Sequence, residues 1–192
     1  MAAPDIGTCL SAGINGLKKD PATHIVTPLL IGVVSGVSAG LLAGPMMVGY
    51  MRMLEREEQG AKVEIADVFK GFDDFVPALL AVLVSSIIVA IGYMLCFLPG
   101  LLITALVPIA AYLVAVGEKD GINAVKRAAD AMKANFVGTF ICMLILSIVG
   151  SLGAVLCGVG IILTMPIAMI GSYHLAKQVT DGGDAALAIT TG

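Results

Sequence analysis

Three long stretches of this sequence contain no charged side chain. Residues 21–51, 75–117 and 134–176 lack Asp, Glu, Lys and Arg altogether. A transmembrane helix needs about 20 consecutive apolar residues to cross a hydrocarbon core of about 30 Å. The second and third tracts contain 43 residues each, so each is long enough to cross a membrane twice.

The composition agrees with this interpretation. Hydrophobic residues make up 58% of the chain and charged residues 13%, against roughly 25% charged residues in soluble domains. A soluble helical bundle would need polar faces on these helices, and the uncharged tracts supply none. We therefore predict an all-α, polytopic membrane protein. The net charge of −3 gives no reason to expect nucleic acid as a partner.

A short amphipathic segment recurs ahead of each uncharged tract. "GINGLKK" at residues 13–19 resembles "GINAVKR" at 121–127, and "EIADVFKGF" begins at Glu64. Each tract also ends with a Pro followed by a Tyr: Pro45 and Tyr50, Pro108 and Tyr112, Pro166 and Tyr173. We call these three amphipathic segments the leads. Chance matches between amphipathic helices are common, but the occurrence of three leads together with three Pro–Tyr endings favours a repeat.

This repeat predicts one membrane domain, residues 1–180, made of three units. Their approximate bounds are 6–56, 62–116 and 120–176, and residues 181–192 are expected to form a flexible tail. In each unit an amphipathic lead should precede a hairpin of two short transmembrane helices, which gives about six crossings in total.

The amphipathic leads are expected at the membrane surface. Apolar residues recur at three- and four-residue steps in them, with charged residues on the opposite side. Two arrangements fit this pattern: the helices lie in the headgroup region, or they pack on the transmembrane bundle as caps. The side chains that we predict at this surface are Phe69, Phe72, Lys126, Arg127 and Lys133.

The charged segments predict the topology. Every segment between the tracts carries Lys or Arg, which the positive-inside rule places on the cytoplasmic side. Each tract must then cross an even number of times, with short uncharged turns such as "CFLPG" at 96–100 and "CGVG" at 157–160. We expect a multi-pass protein of the bacterial inner membrane. The first tract, with 31 residues, could also form a single crossing.

Glycines and prolines mark candidate sites for packing and for helix breaks. Glycines spaced by four residues let helices approach closely in lipid, within one subunit or between two; here they are Gly32, Gly36, Gly40 and Gly44. Prolines in apolar surroundings break or kink helices, and such breaks shape a bundle or mark transport sites. The four candidates are Pro45, Pro99, Pro108 and Pro166.

Groups for catalysis are scarce in the tracts. His24 and His174 are the titratable imidazoles there, near a tract end, and they form no ligand set as a pair. We therefore expect interfacial positions for both, no metal site, no cofactor and no enzymatic activity. Hydroxyl residues such as Ser85 and Thr139 could line a pore, although such groups more often bond to a neighbouring turn or helix.

The order of several short motifs resembles a known group of proteins. "GPMMVGYMRM", "ADVFKGFDDF", "LPGLLI", "AVKRAADAMKANF" and "CGVGIILTMP" followed by Tyr173 occur in that order over residues 40–175. This series is similar to a broad group of bacterial multi-pass membrane proteins that includes the membrane domain found beside some glycerophosphoryl diester phosphodiesterases. The resemblance implies about six helices and no known activity.

This chain departs from that group in one helix and in its domain content. The group usually has a Ser after the second hairpin, where this chain has Ala128 or Ala129. The sequence contains no soluble phosphodiesterase domain, so that activity is not carried over.

Two functions fit these observations. The first is a non-enzymatic integral membrane protein that forms homo-oligomers and organises lipid or a membrane assembly. The alternative is a passive channel or transporter for a small solute, which would use the broken helices. A polar lumen or solute flux would favour the second function over the first.

Overall fold

The described residues of this computed structural model form helices joined by turns and short irregular segments. They are residues 4–38, 40–95, 100, 103–155 and 159–190, with side chains described for 4–38, 40–95, 100, 103–151 and 164–180. No strand occurs among them, which confirms the all-α prediction. The helices are α1 (Ile6–Lys19), α2 (Pro21–Val37), α3 (Ala43–Glu58), a 3-10 helix (Ile65–Asp74), α4 (Phe75–Leu95), α5 (Leu106–Ala115), α6 (Gly121–Ala134), α7 (Phe136–Val155) and α8 (Val159–Thr190).

Aspartates define where three of these helices begin. Asp5, Asp20 and Asp120 are the N-caps of α1, α2 and α6, and their carboxylates accept hydrogen bonds from backbone N–H groups of the first turn. These N–H groups have no partner within the helix, so the caps satisfy them. Pro21 follows Asp20 directly, at the position where a missing N–H costs nothing.

The first uncharged tract forms two helices. α2 and α3 are joined by a turn in which Gly40 adopts a φ of +85°, a conformation that glycine reaches without strain. His24 in the first turn of α2 lies 3.0 Å from Glu57 in the last turn of α3. The two helices are therefore antiparallel, and the alternative of one continuous helix over residues 21–51 is not what the chain forms.

The second tract also returns to where it starts. Asp74, directly before α4, is 2.8 Å from Lys119, which follows α5. The guanidinium of Arg52 contacts both ends as well, through the carboxylate of Asp74 and the carbonyl oxygen of Ala115. At the other end of the pair, the hydroxyls of Tyr93 and Thr104 are 3.0 Å apart.

The third tract folds in the same way into α7 and α8. Thr164 donates a hydrogen bond to the carbonyl of Gly150 at 3.3 Å. The N-terminal segment bridges the two ends of this pair. Pro4 lies against Gly138, and a Cβ added to Gly138 would be 2.4 Å from the proline ring. The N–H of Asp5 donates a hydrogen bond to the side chain of Gln178 at 2.7 Å.

Prolines predicted to break helices have two different positions. Pro45 and Pro108 each lie in the first turn of a helix, α3 and α5, where proline is tolerated. Pro166 lies inside α8, as Pro28 does in α2. Pro99 lies outside the described residues. Two of the predicted breaks are thus helix starts rather than interruptions.

The three leads do not adopt one geometry. α1 meets α2 at 107°, and α6 meets α7 at 102°, whereas the 3-10 helix continues into α4. α6 packs on the bundle through Ala124, Val125, Ala128 and Met132, all of them buried. α1 crosses α8 through small residues, with Gly13 against the backbone of Ile167 and Gly16 against Ile170. α1 and α6 therefore both pack on other helices of the chain.

One helix in the described part of the chain is by itself long and apolar enough to span a membrane. It is the continuous run of 31 residues from Ile65 to Leu95. The bent pairs α1–α2 and α6–α7 are each long and apolar enough to span a membrane when the two helices are counted as one span, which raises the number of candidate spans to three. α5 is a shorter apolar helix of 10 residues.

Candidate functional site

Many of the charged residues around the ends of the tracts form a layer of contacts, and the C-terminal half of α3 is at its centre. This half carries three glutamates, Glu55, Glu57 and Glu58. Residues three apart share a helix face, whereas residues two apart do not. Glu55 and Glu58 therefore point toward one set of partners and Glu57 toward another.

Glu57 contacts the end of α1 and the start of α2. Its carboxylate lies 3.2 Å from Lys19 at the end of α1 and 3.0 Å from Nε2 of His24 in α2. The approach of Nε2 is outside hydrogen-bond geometry. The other ring nitrogen of His24 is 3.4 Å from the hydroxyl of Tyr50. His24 and Tyr50 are both fully buried, which places a polar pair inside the apolar core.

Glu55 and Glu58 face α8. The hydroxyl of Tyr173 lies within hydrogen-bond distance of both carboxylates, at 2.9 Å in the case of Glu58, and donates its single proton to one of them at a time. The ammonium of Lys177, one turn further along α8, lies 2.5 Å from Glu58 and 3.5 Å from Glu55. His174 adds a contact of 3.3 Å to Glu58. Three side chains of α8 thus hold the end of α3.

These contacts shift the pKa values of the two charged partners. Burial opposes the charged form of Glu58, but hydrogen bonds from Lys177 and Tyr173 outweigh it, and the pKa of this carboxyl is lowered. Burial likewise opposes the charge of Lys177, yet its contacts with Glu58 and Glu55 dominate, and the pKa of the ammonium is raised. Both groups are therefore ionised near neutral pH.

Two further ion-pair groups continue the charged layer toward the second tract. Asp74 pairs with Arg52 and Lys119. Asp67 pairs with Arg56 at 2.9 Å and with Lys70 at 2.5 Å. In each group a carboxylate with little exposed surface receives two cations, so α3 is tied to the segment that precedes α4.

A small cavity of about 190 Å³ opens beside the glutamates of α3. Its lining combines apolar side chains with Asn15, Lys19, Glu57, Glu58 and His174. Within the part of the chain that the structure describes, no group of three His, Cys, Asp or Glu has the arrangement of a metal site. Because the carboxylates are already paired with cations, the cluster is built to hold helix ends together.

The residues predicted at the membrane surface lie in two places. Phe69 and Phe72 belong to the 3-10 helix, where their rings stack at 6.2 Å between centroids. Phe69 is half exposed, whereas Phe72 packs on the core. Lys126, Arg127 and Lys133 are on the exposed side of α6, and Arg127 pairs with Glu118 and Lys133 with Asp130.

The four predicted packing glycines do not share one helix. Gly32 and Gly36 are exposed on α2, and a Cβ added to either would meet nothing within 4 Å. Gly40 lies in the turn, and Gly44 packs against the backbone of Ala78. Among the described glycines, the closest contacts are those of Gly49 and Gly71. An added Cβ on Gly49 would lie 1.8 Å from the carbonyl oxygen of Val68.

Sequence reasoning did not predict the polar partners around α3 or the role of the repeated tyrosines. Tyr50, Tyr112 and Tyr173 are all buried. The rings of Tyr112 and Tyr173 pack edge to face at 5.5 Å between centroids, and the hydroxyls of Tyr50 and Tyr173 reach polar groups of the charged layer. Each of these tyrosines follows a proline near the end of its unit. This recurrence was the sequence signal from which their shared burial could have been predicted.

The chain matches no protein-family profile, no curated protein and no solved structure. Its function must therefore be argued from the arrangement of its own residues.

Proposed function

We propose that this protein is an integral protein of the bacterial inner membrane that self-associates and organises the surrounding lipid, without enzymatic activity. In this proposal each uncharged tract enters the membrane from the cytoplasmic side and returns to it. The six helices α2, α3, α4, α5, α7 and α8 form three hairpins, and the charged segments stay in the cytoplasm.

The main support for this proposal is the position of the tract ends. The two ends of each of the first two tracts lie close together, through the contact of His24 with Glu57 and the ion pair of Asp74 with Lys119. For the third tract, the N-terminal segment contacts both ends, with Pro4 against Gly138 and the N–H of Asp5 donating to Gln178. Charged residues are thus collected at one end of the helix pairs, which is the distribution that a one-sided insertion requires.

The outward faces of the helices add to this support. Leu83, Ile87 and Ile91 follow one another at four-residue steps on α4, and about half of each side chain is exposed. Val33 and Val37 on α2 are more exposed still, at 61% and 86%. Large contiguous apolar surfaces are rare on soluble monomers, whereas lipid tails solvate them without cost.

An effect on lipid follows from the lengths of the helices. α2 has 17 residues and so spans about 25 Å at 1.5 Å per residue, and α5 with 10 residues spans about 15 Å. Both are shorter than a hydrocarbon core of about 30 Å. Short spans are accommodated by local thinning of the bilayer or by association of the proteins. We infer that the surrounding bilayer is thinner than average.

The surface of α2 supports self-association. Gly32 and Gly36 lie on the exposed side of this helix beside Leu29 and Val33, and no residue of the described chain packs on them. Small residues four apart allow close contact between helices in lipid, where apolar attraction alone does not drive association. The same helix in a second copy fits this surface.

The test measures the oligomeric state in lipid nanodiscs by single-molecule mass measurement. We expect oligomers for the natural chain and mainly monomers for Gly36→Leu, because the new side chain would block close approach without any contact inside the subunit. Ala90→Leu, at an exposed position of α4, is the matched control and should retain the oligomers. A natural chain that is monomeric in nanodiscs and in several mild detergents would refute self-association.

A further inference from the structure

A second cavity lies between α3, α7 and α8, away from the glutamate cluster. Its volume of about 540 Å³ falls in the range of small-molecule binding sites, roughly 300–1,000 Å³. It is an open cleft rather than an enclosed void, because Ser151 is exposed and Met143, Met165 and Met169 are only partly buried. A ligand could therefore enter it from outside the helix bundle.

Methionines dominate the walls of this cavity. Half of the ten methionines of the chain line it. The remaining walls are small or apolar residues with three serines. The full lining is Met47, Met51, Met143, Leu146, Ser147, Gly150, Ser151, Met165, Ala168, Met169 and Ser172. Methionine is flexible and polarisable, so it adapts to irregular apolar ligands better than branched side chains do.

The polarity of the lining restricts the occupant. No Asp, Glu, Lys, Arg or His is among these lining residues. The hydroxyl of Ser172 donates to the carbonyl of Ala168 within its own helix at 2.7 Å, so it offers little to a polar ligand. An ion or a charged headgroup would lose its hydration here without compensation. The walls fit an uncharged apolar chain.

The direction of the cavity also fits such a chain. Its lining runs along α7 from Met143 to Ser151 and along α8 from Met165 to Ser172, which corresponds to about 10–12 Å at 1.5 Å per residue. The long dimension is thus parallel to the helices of the third tract. In the proposed orientation this is also the direction of the lipid tails.

One end of the cavity adjoins the charged layer. Ser172 directly precedes Tyr173, and Met51 directly precedes Arg52, and both of these neighbours take part in the ion-pair layer. Ser151 and Met165 line the opposite end, far along the tract from any charged residue. A lipid could place its headgroup at the level of the ion pairs and a tail between the helices.

We propose that this methionine-lined cavity binds one acyl chain of a membrane phospholipid. The inference rests on the proposed membrane insertion and adds a specific lipid site to it. The lipid would fill the space between the first and third hairpins, so α3 would contact α7 partly through a bound lipid tail.

The test uses the full-length protein in liposomes that contain a phosphatidylethanolamine with a photoactivatable diazirine in one acyl chain. After illumination, peptide mapping locates the adducts. We expect adducts on cavity residues such as Met143 and Met169, in addition to adducts on the outward face of α4. Adducts on α4 without any in the cavity would overturn this inference and leave membrane insertion standing, whereas adducts nowhere would overturn both.

Substitutions make the test specific. Ala168→Leu should fill the cavity and remove most of the cavity adducts, whereas Ala90→Leu on α4 should leave them unchanged. Because Ala168→Leu could also disturb folding, a second variant combines Met143→Leu with Met169→Leu, a swap that preserves volume and is tolerated best in cores. This variant should retain the adducts. Their loss would show that sulfur is required and would refute an apolar chain as the ligand.

Discussion

The contact between α3 and the 3-10 helix gives the strongest prediction about stability. A Cβ added to Gly49 would lie 1.8 Å from the carbonyl oxygen of Val68, and one added to Gly71 would lie equally close to that of Pro45. Real Cβ atoms essentially never come within 3.0 Å of such a neighbour. Gly49→Ala must therefore separate the two backbones by about 1.2 Å, the difference between these distances.

The cost of this separation can be bounded. Inserting one carbon into a packed contact typically costs about 1–3 kcal/mol. The upper end applies here, because the obstacle is backbone that cannot rotate away and because Asp67 and Lys70 on the displaced segment belong to the ion-pair layer. For a chain of this size about 1 kcal/mol changes the melting temperature by roughly 2–4 °C. We expect a decrease of about 6–12 °C.

The assay is thermal unfolding in a mild detergent, followed by intrinsic tyrosine fluorescence or by circular dichroism. Gly32→Ala is the matched control, since nothing lies within 4 Å of the added Cβ and alanine favours a helix by about 0.5–1 kcal/mol over glycine. Its melting temperature should stay the same or rise slightly. Equal melting temperatures for the two variants would refute the close backbone contact.

Three further predictions concern the ion-pair layer. Tyr173→Phe removes a buried phenol bonded to two carboxylates and should destabilise the protein by about 1.5–3 kcal/mol, measured by the same thermal assay. Because the pKa of Glu58 is lowered from 4.5, its stabilisation is complete above about pH 4.5 and is lost as the pH falls through the lowered pKa of the folded state. The melting temperatures of Glu58→Gln and the natural chain should therefore differ at pH 7 and converge as the pH falls below that lowered pKa. Asp74→Asn leaves Arg52 without its carboxylate partner and should cost about 1–3 kcal/mol, whereas Lys119→Ala, at an exposed cation, should cost less than about 1 kcal/mol.

Local sequence patterns predicted the all-α class of the fold, and they carry signals for several helix starts. The ends of the uncharged tracts coincide with chain segments that meet in the structure, because charged side chains remain together where water or counter-charges are available. The Pro45 and Pro108 positions correspond to helix starts, since proline lacks the N–H that the first turn leaves unpaired. The aspartate caps are equally local signals.

Features that depend on tertiary contacts were not predictable from the sequence. The four-residue glycine spacing suggested one helix face, but a turn at Gly40 divides it between α2 and α3. The close contact of Gly49 with Val68 and the pairing of Tyr173 with two glutamates join segments distant in sequence. No local periodicity specifies which helices will approach, so only the fold reveals these partners.

The central claim is that every uncharged tract begins and ends on one side of the membrane. Accessibility of single cysteines to a membrane-impermeant maleimide in oriented vesicles tests it, in a background in which the four natural cysteines are replaced by alanine. We predict that cysteines at Lys18, Gln59, Lys119 and Asp181 react from the same side, and that a cysteine at Leu41 in the turn between α2 and α3 does not. Reaction from opposite sides at any two consecutive positions of the first four would contradict the account.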